Sequence, residues 1–374
     1  MNTEQIYDIV NSTASQAMGE TALAAVDTQG LISLGNVVLS SSTNTEAFLN
    51  TLVQRIGRVI YRFRAYTNKL KDLTIGDMEY GCILQKLRVE MPEAETDPMY
   101  DLVDGQSVDM FKVSKPKAHQ KLFVTRTPYM FKITVQRETL KEAFLSPEAM
   151  GSFISLIYGE VRNAIEYSLE NLGRLTISAA MAETGASQKI HLVTDYNTEN
   201  NLTGADAKTA ATFLTDPDCL RYGIFRINNM IDMIQDMSVQ YNPEGVLPTF
   251  TNKENMKIRV LSAFQRRLET VVEYAAFHEQ FTKIDGAYST INFWQSEQTP
   301  SSIDIERPSD GTEVNQAGIV AVIHDKDALG IYQISESVLT SPVNAAGAYF
   351  NVFYHLKQSR FVDKGENILM FVLD

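Results

Sequence analysis

The residue types that most often carry catalysis or bind metals are present in this chain, but they are not grouped. The five histidines are His119, His191, His278, His324 and His355. None of them stands at metal-ligand spacing from another histidine or a cysteine. His278-Glu279 begins like the zinc motif HExxH, but Thr282 occupies the position of the second histidine. The histidines therefore predict no metal centre.

Carboxylate pairs and glycine-rich loops do not predict a catalytic or phosphate-binding site either. Two DxD pairs, Asp216 with Asp218 and Asp325 with Asp327, are better explained by helix capping and turn formation than by catalysis. The sequence contains no GxxxxGK or GxGxxG phosphate-binding loop and no GxSxG nucleophile elbow. We predict a protein that is not an enzyme and that uses no metal or cofactor. An enzyme whose active site is assembled from residues distant in sequence stays open as an alternative.

Composition limits the class of protein further. The chain has 374 residues, more than one simple core needs, and its 44% apolar content is ordinary for a folded soluble protein. With only Cys82 and Cys219, a disulfide framework is excluded and a reducing cytoplasm fits best. The net charge of −13 argues against a surface that grips nucleic acid everywhere, although one local face could contact DNA. Neither a membrane span nor a signal peptide is predicted.

One polar stretch segregates its charges. Between Glu90 and Asp109 there are seven acidic residues and no lysine or arginine, and between Met110 and Lys121 there are four lysines and no acid. The acids are Glu90, Glu93, Glu95, Asp97, Asp101, Asp104 and Asp109, and the lysines are Lys112, Lys115, Lys117 and Lys121. A solvated loop is the ordinary explanation of such runs. The alternative is that these charges act between subunits of an assembly and set their register.

A basic strip precedes this stretch. It consists of Arg55, Arg58, Arg62, Arg64, Lys69 and Lys71, with no acid among residues 55–71. One interpretation is an edge strand protected by charge. The other is a surface that faces packed DNA or an acidic neighbouring subunit, and the sequence does not decide between them.

The main element predicted to position these residues is a long helix over 146–183. Ser146 can cap it, Pro147 suits its first position, and apolar residues then recur at helical spacing. At ~1.5 Å per residue this helix would be roughly 55 Å long. The pattern fits neither a coiled coil nor a membrane span. Such a rod makes poor use of burial in a monomer, which favours a thin subunit that packs against copies of itself.

The other elements follow from shorter patterns. Residues 1–43 predict an arm with one short helix and no core of its own, and residues 44–57 predict a helix. Alternation predicts a strand within 58–66 and a long hairpin over 78–136, with one arm at 86–91 and the return arm at 131–136. Residues 184–215 are predicted to be irregular. Further elements are predicted as a helix from Asp216-Pro217, strands at 257–262, 289–296 and 318–323, a helix near 264–277, and two or three closing strands.

In their order, these elements resemble the tailed-bacteriophage major capsid protein fold, the Hong Kong ninety-seven-like fold. The chain is most similar to coat proteins of phi-twenty-nine-like podophages. The stretches that carry the resemblance are AFLNTLVQRIGRVI (47–60), EMPEAE (90–95), FKITVQRETLKEAF (131–144), DKDALGIY (325–332), GAYFNVFYH (347–355) and ILMFV (368–372). Coat proteins of this type can carry a C-terminal immunoglobulin-like domain, which is not expected here because the chain stops at Asp374. The resemblance also implies a separate scaffolding protein rather than a cleaved N-terminal segment.

The resemblance implies an α+β fold with a fixed division of the chain. The divisions are an N-terminal arm (1–43), a peripheral helix and strand (44–77), an extended loop (78–136), a peripheral domain with the spine helix (137–199), an axial domain (200–320) and closing peripheral strands (321–374). The implied function is a major capsid protein that self-assembles, as pentamers and hexamers, into an icosahedral or elongated head around double-stranded DNA. The implied partners are a scaffolding protein, a portal protein and DNA held without sequence specificity. An encapsulin-like compartment shell is the alternative within the fold.

Overall fold

The computed structural model describes residues 3–19, 24–59, 66–77, 83–100, 102–111, 113–272 and 284–374. The helices are α1 (Thr3–Met18), α2 (Thr28–Leu39), α3 (Ser42–Val59), α4 (Arg137–Ala143), α5 (Pro147–Ala182), α6 (Leu192–Glu199), α7 (Ala210–Phe213), α8 (Pro217–Met233) and α9 (Ser262–Arg267). The first strands are β1 (Thr74–Asp77), β2 (Leu84–Val89), β3 (Ala118–Phe123), β4 (Arg126–Gln136), β5 (Lys189–His191) and β6 (Met256–Leu261). The later strands are β7 (Tyr288–Ile291), β8 (Ile303–Glu306), β9 (Glu313–Gln316), β10 (Ile319–Asp325), β11 (Leu329–Thr340), β12 (Tyr349–Val362) and β13 (Ile368–Val372).

Helix α5 is the spine that the sequence predicts. The Ser146 hydroxyl oxygen accepts a hydrogen bond from the Ala149 amide at 3.1 Å, and Pro147 opens the helix. Its 36 residues give a length of about 54 Å. The N-terminal half of α5 contributes Met150 and Ile157 to one hydrophobic core, and the C-terminal half contributes Leu172 and Met181 to another. One helix therefore ties two cores together.

Two glycines in α5 mark places where other segments approach closely. A Cβ atom at Gly151 would lie 3.1 Å from Ile6 Cδ1, and a Cβ atom at Gly173 would lie 3.1 Å from Leu70 Cδ1. Both contacts are tighter than ordinary van der Waals packing. The helix therefore keeps glycine where α1 and the segment before β1 pack against it, despite a cost of roughly 1 kcal/mol per glycine in helix propensity.

The first core surrounds a five-stranded sheet with the order β5-β13-β10-β6-β7. Strand β10 lies at its centre and pairs antiparallel with β13 and β6, whereas the edge strands β5 and β7 pair parallel. Every residue of β10 and β13 is buried, so neither strand alternates; β13 and residues 319–323 of β10 are continuous apolar runs. Trp294 is 1% exposed in this core, and its indole N–H donates to the Ile319 carbonyl oxygen at 3.0 Å.

The second core lies on a four-stranded sheet with the order β1-β11-β12-β4. Strands β11 and β12 form a long antiparallel pair, and β4 adds to the other side of β12. Helices α1 to α4 and the first half of α5 supply the apolar side chains that cover this sheet. The mixture of helices and largely antiparallel sheets agrees with the predicted α+β class.

The N-terminal segment differs from its prediction. Residues 1–43 were expected to form an arm with one short helix and no core, but α1 and α2 both pack into the second core. Ile6 and Val10 of α1 and Leu31 and Leu34 of α2 are each at most 3% exposed. The Ser, Thr and Asn residues between these apolar positions obscure the helical period. Residues 1–2 and 20–23 lie outside the described part of the chain.

The return arm of the hairpin was also assigned to the wrong strand. Strand β2 pairs antiparallel with β3, with Leu84 opposite Phe123 and Val89 opposite Ala118. The alternating residues at 131–136 belong to β4, which pairs with β12 in the four-stranded sheet. Both β3 and β4 alternate, so only tertiary pairing distinguishes them. The connecting stretch of the hairpin is therefore 90–117.

The remaining predictions divide between confirmed and corrected ones. The helix from Asp216-Pro217 is confirmed as α8, with an Asp216 carboxylate oxygen accepting from the Asp218 amide at 3.0 Å. Strands at 257–262 and 318–323 and two closing strands are also found. The prediction of an irregular 184–215 is wrong, because β5, α6 and α7 lie there. The helix predicted near 264–277 is α9 followed by a π-helical turn over Leu268–Val272, and residues 273–283 lie outside the described chain. The strand predicted within 58–66 is also untested at residues 60–65, which lie outside the described chain.

Candidate assembly surface

The β2–β3 hairpin turns its charged face inward and its apolar face outward. In β2, Lys86 and Arg88 are half-buried against the body of the chain, whereas Leu87 and Val89 are 64% and 58% exposed. In β3, Leu122 is likewise 55% exposed. A two-stranded hairpin is marginal by itself in water, and burial of apolar side chains ordinarily stabilises it. This hairpin leaves that apolar face uncovered, so its stability within one chain has another source.

That source is an ionic cluster at the hairpin base. Lys86 and Lys121 lie directly opposite each other on β2 and β3, where like charges repel. Asp363, 3% exposed at its side chain, separates them: its two carboxylate oxygens each accept from one lysine ammonium group at 2.7 Å. Lys86 also pairs with Glu366 at 2.7 Å, and Lys121 contacts Glu244. We call Lys86, Lys121, Asp363, Glu366 and Glu244 the base cluster.

Ionisation in the base cluster follows from these contacts. Burial by itself would raise the pKa of Asp363, but the hydrogen bonds from Lys121 and Lys86 outweigh burial and hold this pKa below its ordinary value. Burial would lower the pKa of Lys86, but Asp363 and Glu366 raise it above its ordinary value. Asp363 and Lys86 are therefore both charged at neutral pH. The cluster attaches the hairpin to the turn 363–366, between the closing strands β12 and β13.

Two further residues extend this attachment along the hairpin. The Arg88 guanidinium donates to the Gly365 carbonyl oxygen at 2.8 Å and to the Pro248 carbonyl oxygen at 3.0 Å. Glu90, just beyond β2, lies 2.8 Å from His119 and 3.3 Å from Lys117 across the hairpin. Hydrogen bonds from these two partners lower the pKa of Glu90. The base of the hairpin is thus held mainly by charge and hydrogen bonds, with one aromatic contact between Phe123 of β3 and Phe361 of β12, whose ring centroids lie 5.3 Å apart.

Beyond this base, the connecting stretch 90–117 exposes large apolar side chains. Each of the following is more than half exposed: Met91, Met99, Tyr100, Leu102, Val103, Val108, Met110, Phe111 and Val113. Exposed apolar surface on this scale is typical of interaction sites. Sequence reasoning concentrated on the charges of this stretch and missed its apolar content, although MYDLV and DMFKV were visible signals.

The charged residues predicted for this stretch separate into two groups. Glu93, Glu95, Asp97, Asp104, Asp109 and Lys115 are exposed on the connecting stretch. Asp97 and Asp109 each accept a hydrogen bond from the backbone amide two residues later, at 2.9 Å. Glu90, Lys117 and Lys121 instead make ion pairs within their own chain. Asp101 and Lys112 lie outside the described residues.

Only part of the predicted basic strip lies within the described residues. Arg55 and Arg58 lie on α3, whose backbone is described at these positions, and Arg62 and Arg64 fall outside the described residues. Within the described ranges, no group of three or more His, Cys, Asp or Glu side chains is arranged to hold a metal ion. Among the helices that the structure describes, none is both long and apolar enough to cross a membrane.

Comparison with known proteins decides the family. Residues 8–372 match the family of Phi29-like phage major capsid proteins. The chain belongs to this family. It is 24% identical to the major capsid protein of Bacillus phage GA-1 over 98% of this chain and 69% of that protein. It is 23% identical to the major capsid protein of Bacillus phage B103 over 100% of this chain and 74% of the relative. The chain is thus a major capsid protein, a structural component of a phage virion, and these relatives favour that function over the compartment and enzyme alternatives.

Solved capsid structures share its fold. One chain from the capsid structure of Staphylococcus phage Andhra superposes with a TM-score of 0.56 at 12% identity, over 83% of this capsid protein and 86% of that chain. A chain from the capsid structure of the cyanophage P-SCSP1u superposes with a TM-score of 0.51 at 12% identity, over 84% and 90% respectively. The predicted phage capsid fold is therefore confirmed.

Proposed function

We propose that this capsid protein assembles through its hairpin, and that stretch 90–117 of each copy packs on a neighbouring copy. The observation that carries this proposal is the inverted hairpin, with charges toward its own chain and apolar side chains toward solvent. Burial of apolar area gives roughly 25 cal/mol per Å², so covering Met110, Phe111 and Tyr100 would strengthen each contact. The exposed charges Glu93, Glu95, Asp97 and Lys115, with Asp101 and Lys112, would set the register of that contact.

The shell itself is the second part of the proposal. Rings of five and six copies form an icosahedral or elongated head, with residues 200–320 as an axial domain around the ring axes and the second core as the peripheral domain. Packaged double-stranded DNA is held without sequence specificity, and the overall charge of −13 restricts that contact to a local face such as Arg55, Arg58, Arg62 and Arg64. A portal protein occupies one vertex. No catalytic step is assigned to the chain.

A scaffolding protein completes the proposed assembly in the host cytoplasm. One sequence must occupy both five-fold and six-fold environments, and nothing in a single chain fixes the curvature of the shell. Electron microscopy and sedimentation of the chain, expressed alone and with the scaffolding protein of its phage, test this. We expect monomers, rings or irregular shells from the lone chain and regular heads from the pair. Uniform heads from the lone chain would exclude the scaffold requirement, and an absence of particles in both samples would exclude the shell.

A further inference from the structure

A cavity of about 380 Å³ lies between the hairpin base and the body of the chain. This volume falls in the ~300–1,000 Å³ range of ligand pockets. The apolar part of its lining consists of Val89 at the end of β2 together with Met237, Leu247 and Phe250. Met237 and Phe250 are 50% and 45% exposed, so the cavity opens to solvent beside them. The cavity can therefore receive an apolar group from outside the chain.

The same lining carries three carboxylates, Asp325, Asp327 and Glu366, together with the guanidinium of Arg88. The Lys86 ammonium group, which is not part of the lining, donates to the Asp327 carbonyl oxygen at 3.3 Å. Glu366 is already paired with Lys86, and Arg88 is already bonded to two backbone carbonyl oxygens. Asp325, 6% exposed, accepts from the Thr251 hydroxyl and the Asp327 amide, each at 2.8 Å. Within the described residues, no lysine or arginine forms an ion pair with Asp325 or Asp327. An incoming cation would be favoured beside these carboxylates.

The chain itself contains a segment with the matching chemistry. The descending arm of the connecting stretch, residues 110–117, reads MFKVSKPK. Met110, Phe111 and Val113 are 80%, 81% and 77% exposed, so this arm does not fill the cavity of its own chain. Pro116 favours an extended backbone at the residue before it. The arm therefore offers an aromatic group and, a few residues later, a free-standing lysine at Lys115.

We propose that the cavity receives the descending arm of a second copy of this chain. Phe111 of that copy enters the apolar side beside Phe250 and Leu247, and its Lys115 approaches Asp325 and Asp327. The contact joins the far part of one hairpin to the base of the next, which makes it head-to-tail; contacts of this kind close into rings when the rotation permits. This inference rests on the proposed shell function and names the site that the hairpin occupies on its neighbour.

Interchain disulfide formation tests the apolar half of the contact. In a background with Cys82→Ser and Cys219→Ala, the pair Phe111→Cys with Phe250→Cys is compared with the control pair Phe111→Cys with Val26→Cys, since Val26 is 81% exposed elsewhere. Particles are isolated by sedimentation, oxidised mildly and run on a non-reducing gel. We expect a ladder of linked chains from the first pair and single chains from the control. Particles that form but give no ladder, or bonds within one chain only, would overturn this inference while leaving the shell function intact.

Charge-reversal variants test the proposed contact between Lys115 and the carboxylates of the cavity, and they need no engineered cysteine. Asp327→Lys and Lys115→Glu, made singly, should each lower the yield of sedimenting particles about tenfold or more, because like charges then meet at a repeated contact. The double variant should recover most of that yield. Glu297→Lys is the control of equal charge change at an exposed position away from the cavity, and it should assemble normally. Harmless single variants, or a double variant no better than the worse single one, would overturn the inference.

Discussion

Two strand pairs of this capsid protein differ in whether their apolar side chains are buried within the chain or exposed to solvent. In the β10–β13 pair every side chain is buried by the same chain, and residues 368–372 read ILMFV without interruption. In the β2–β3 pair Leu87, Val89 and Leu122 face solvent, while Lys86 and Lys121 face the protein. The first pair stabilises the subunit, and the second is stabilised by the subunit. Burial within the chain therefore separates residues that serve folding from residues left available for a neighbour.

The largest effect expected from this comparison is on folding. Leu369→Ala removes a fully buried side chain from β13 and should lower the free energy of unfolding by ~2–5 kcal/mol. Urea unfolding followed by circular dichroism measures it. Phe111→Ala is the matched variant on the connecting stretch, and it should change that free energy by less than ~0.5 kcal/mol while reducing particle yield. Equal destabilisation by the two variants would remove the distinction between the regions.

Acid should weaken the first core at a higher pH than it weakens the hairpin base. His324 is fully buried; its Nε2 accepts from Arg259 at 3.1 Å and its Nδ1–H donates to the Asp325 carbonyl oxygen at 2.8 Å. Burial, reinforced by the Arg259 charge, lowers the pKa of His324 to about 3. The unfolded chain takes up this proton near pH ~6.5 and the folded chain does not, so stability declines as the pH falls from ~6.5 toward ~3.

The variant His324→Gln tests this pH dependence. It should be less stable at pH 7, and its free energy of unfolding should decline less steeply than that of the unchanged protein between pH ~6.5 and ~4. The difference in slope is at most ~1.4 kcal/mol per pH unit, the contribution of one proton. Parallel slopes in the two proteins would contradict a neutral buried histidine.

The next largest effect is expected from disrupting the base cluster. Asp363→Asn leaves Lys86 and Lys121 opposed without the carboxylate between them, and should cost about 1–3 kcal/mol. Because the pKa of Asp363 is lowered in the folded state, its contribution is complete above pH ~4 and is lost as the pH falls further. The variant should lack that acid-dependent loss. Asp304→Asn, an exposed acid on β8, is the control and should be neutral. A neutral Asp363→Asn would show that the hairpin is held by other contacts.

The smallest effect concerns the ion pair beyond the base. Lys117 lies 3.3 Å from Glu90, but its side chain is 78% exposed. Exposed pairs contribute ~0–1 kcal/mol and are screened by salt. Lys117→Gln should therefore shift the unfolding free energy by less than ~0.5 kcal/mol, and the shift should vanish in 1 M salt. A larger, salt-independent change would place Lys117 with the base cluster.

Local signals in the sequence were sufficient for the spine and the closing strands. Ser146 and Pro147 mark the start of α5 by capping and by backbone geometry, which depend on adjacent residues only. The apolar runs of β10 and β13 are also local. The return strand of the hairpin was misassigned because β3 and β4 both alternate, and pairing with β12 is a long-range property. Ile6, Val10 and Ala14 show helical spacing in α1, but the polar residues between them outweighed it.

The sequence shows the charges of the candidate assembly surface but not the apolar face of the hairpin. Charge segregation located the stretch 90–117, because runs of like charge are visible in sequence. The partners of Lys86 and Lys121 could not be predicted, because they are distant in sequence. Asp363, for example, is 242 residues from Lys121. The outward direction of Leu87 and Val89 could not be predicted either, because an alternating pattern does not tell which face is buried.

The central claim is that the connecting stretch serves assembly and contributes little to the fold of the subunit. It is tested most directly by replacing Met91–Pro116 with Asn-Gly, because the Glu90 amide already donates to the Lys117 carbonyl oxygen at 2.8 Å and a two-residue turn can close the hairpin there. The measurement is a thermal unfolding curve paired with particle counts from sedimentation, in the presence of the scaffolding protein. We predict an unfolding transition within a few degrees of the unchanged protein and no closed particles. Normal particle yield, or a chain that no longer folds, would contradict the account.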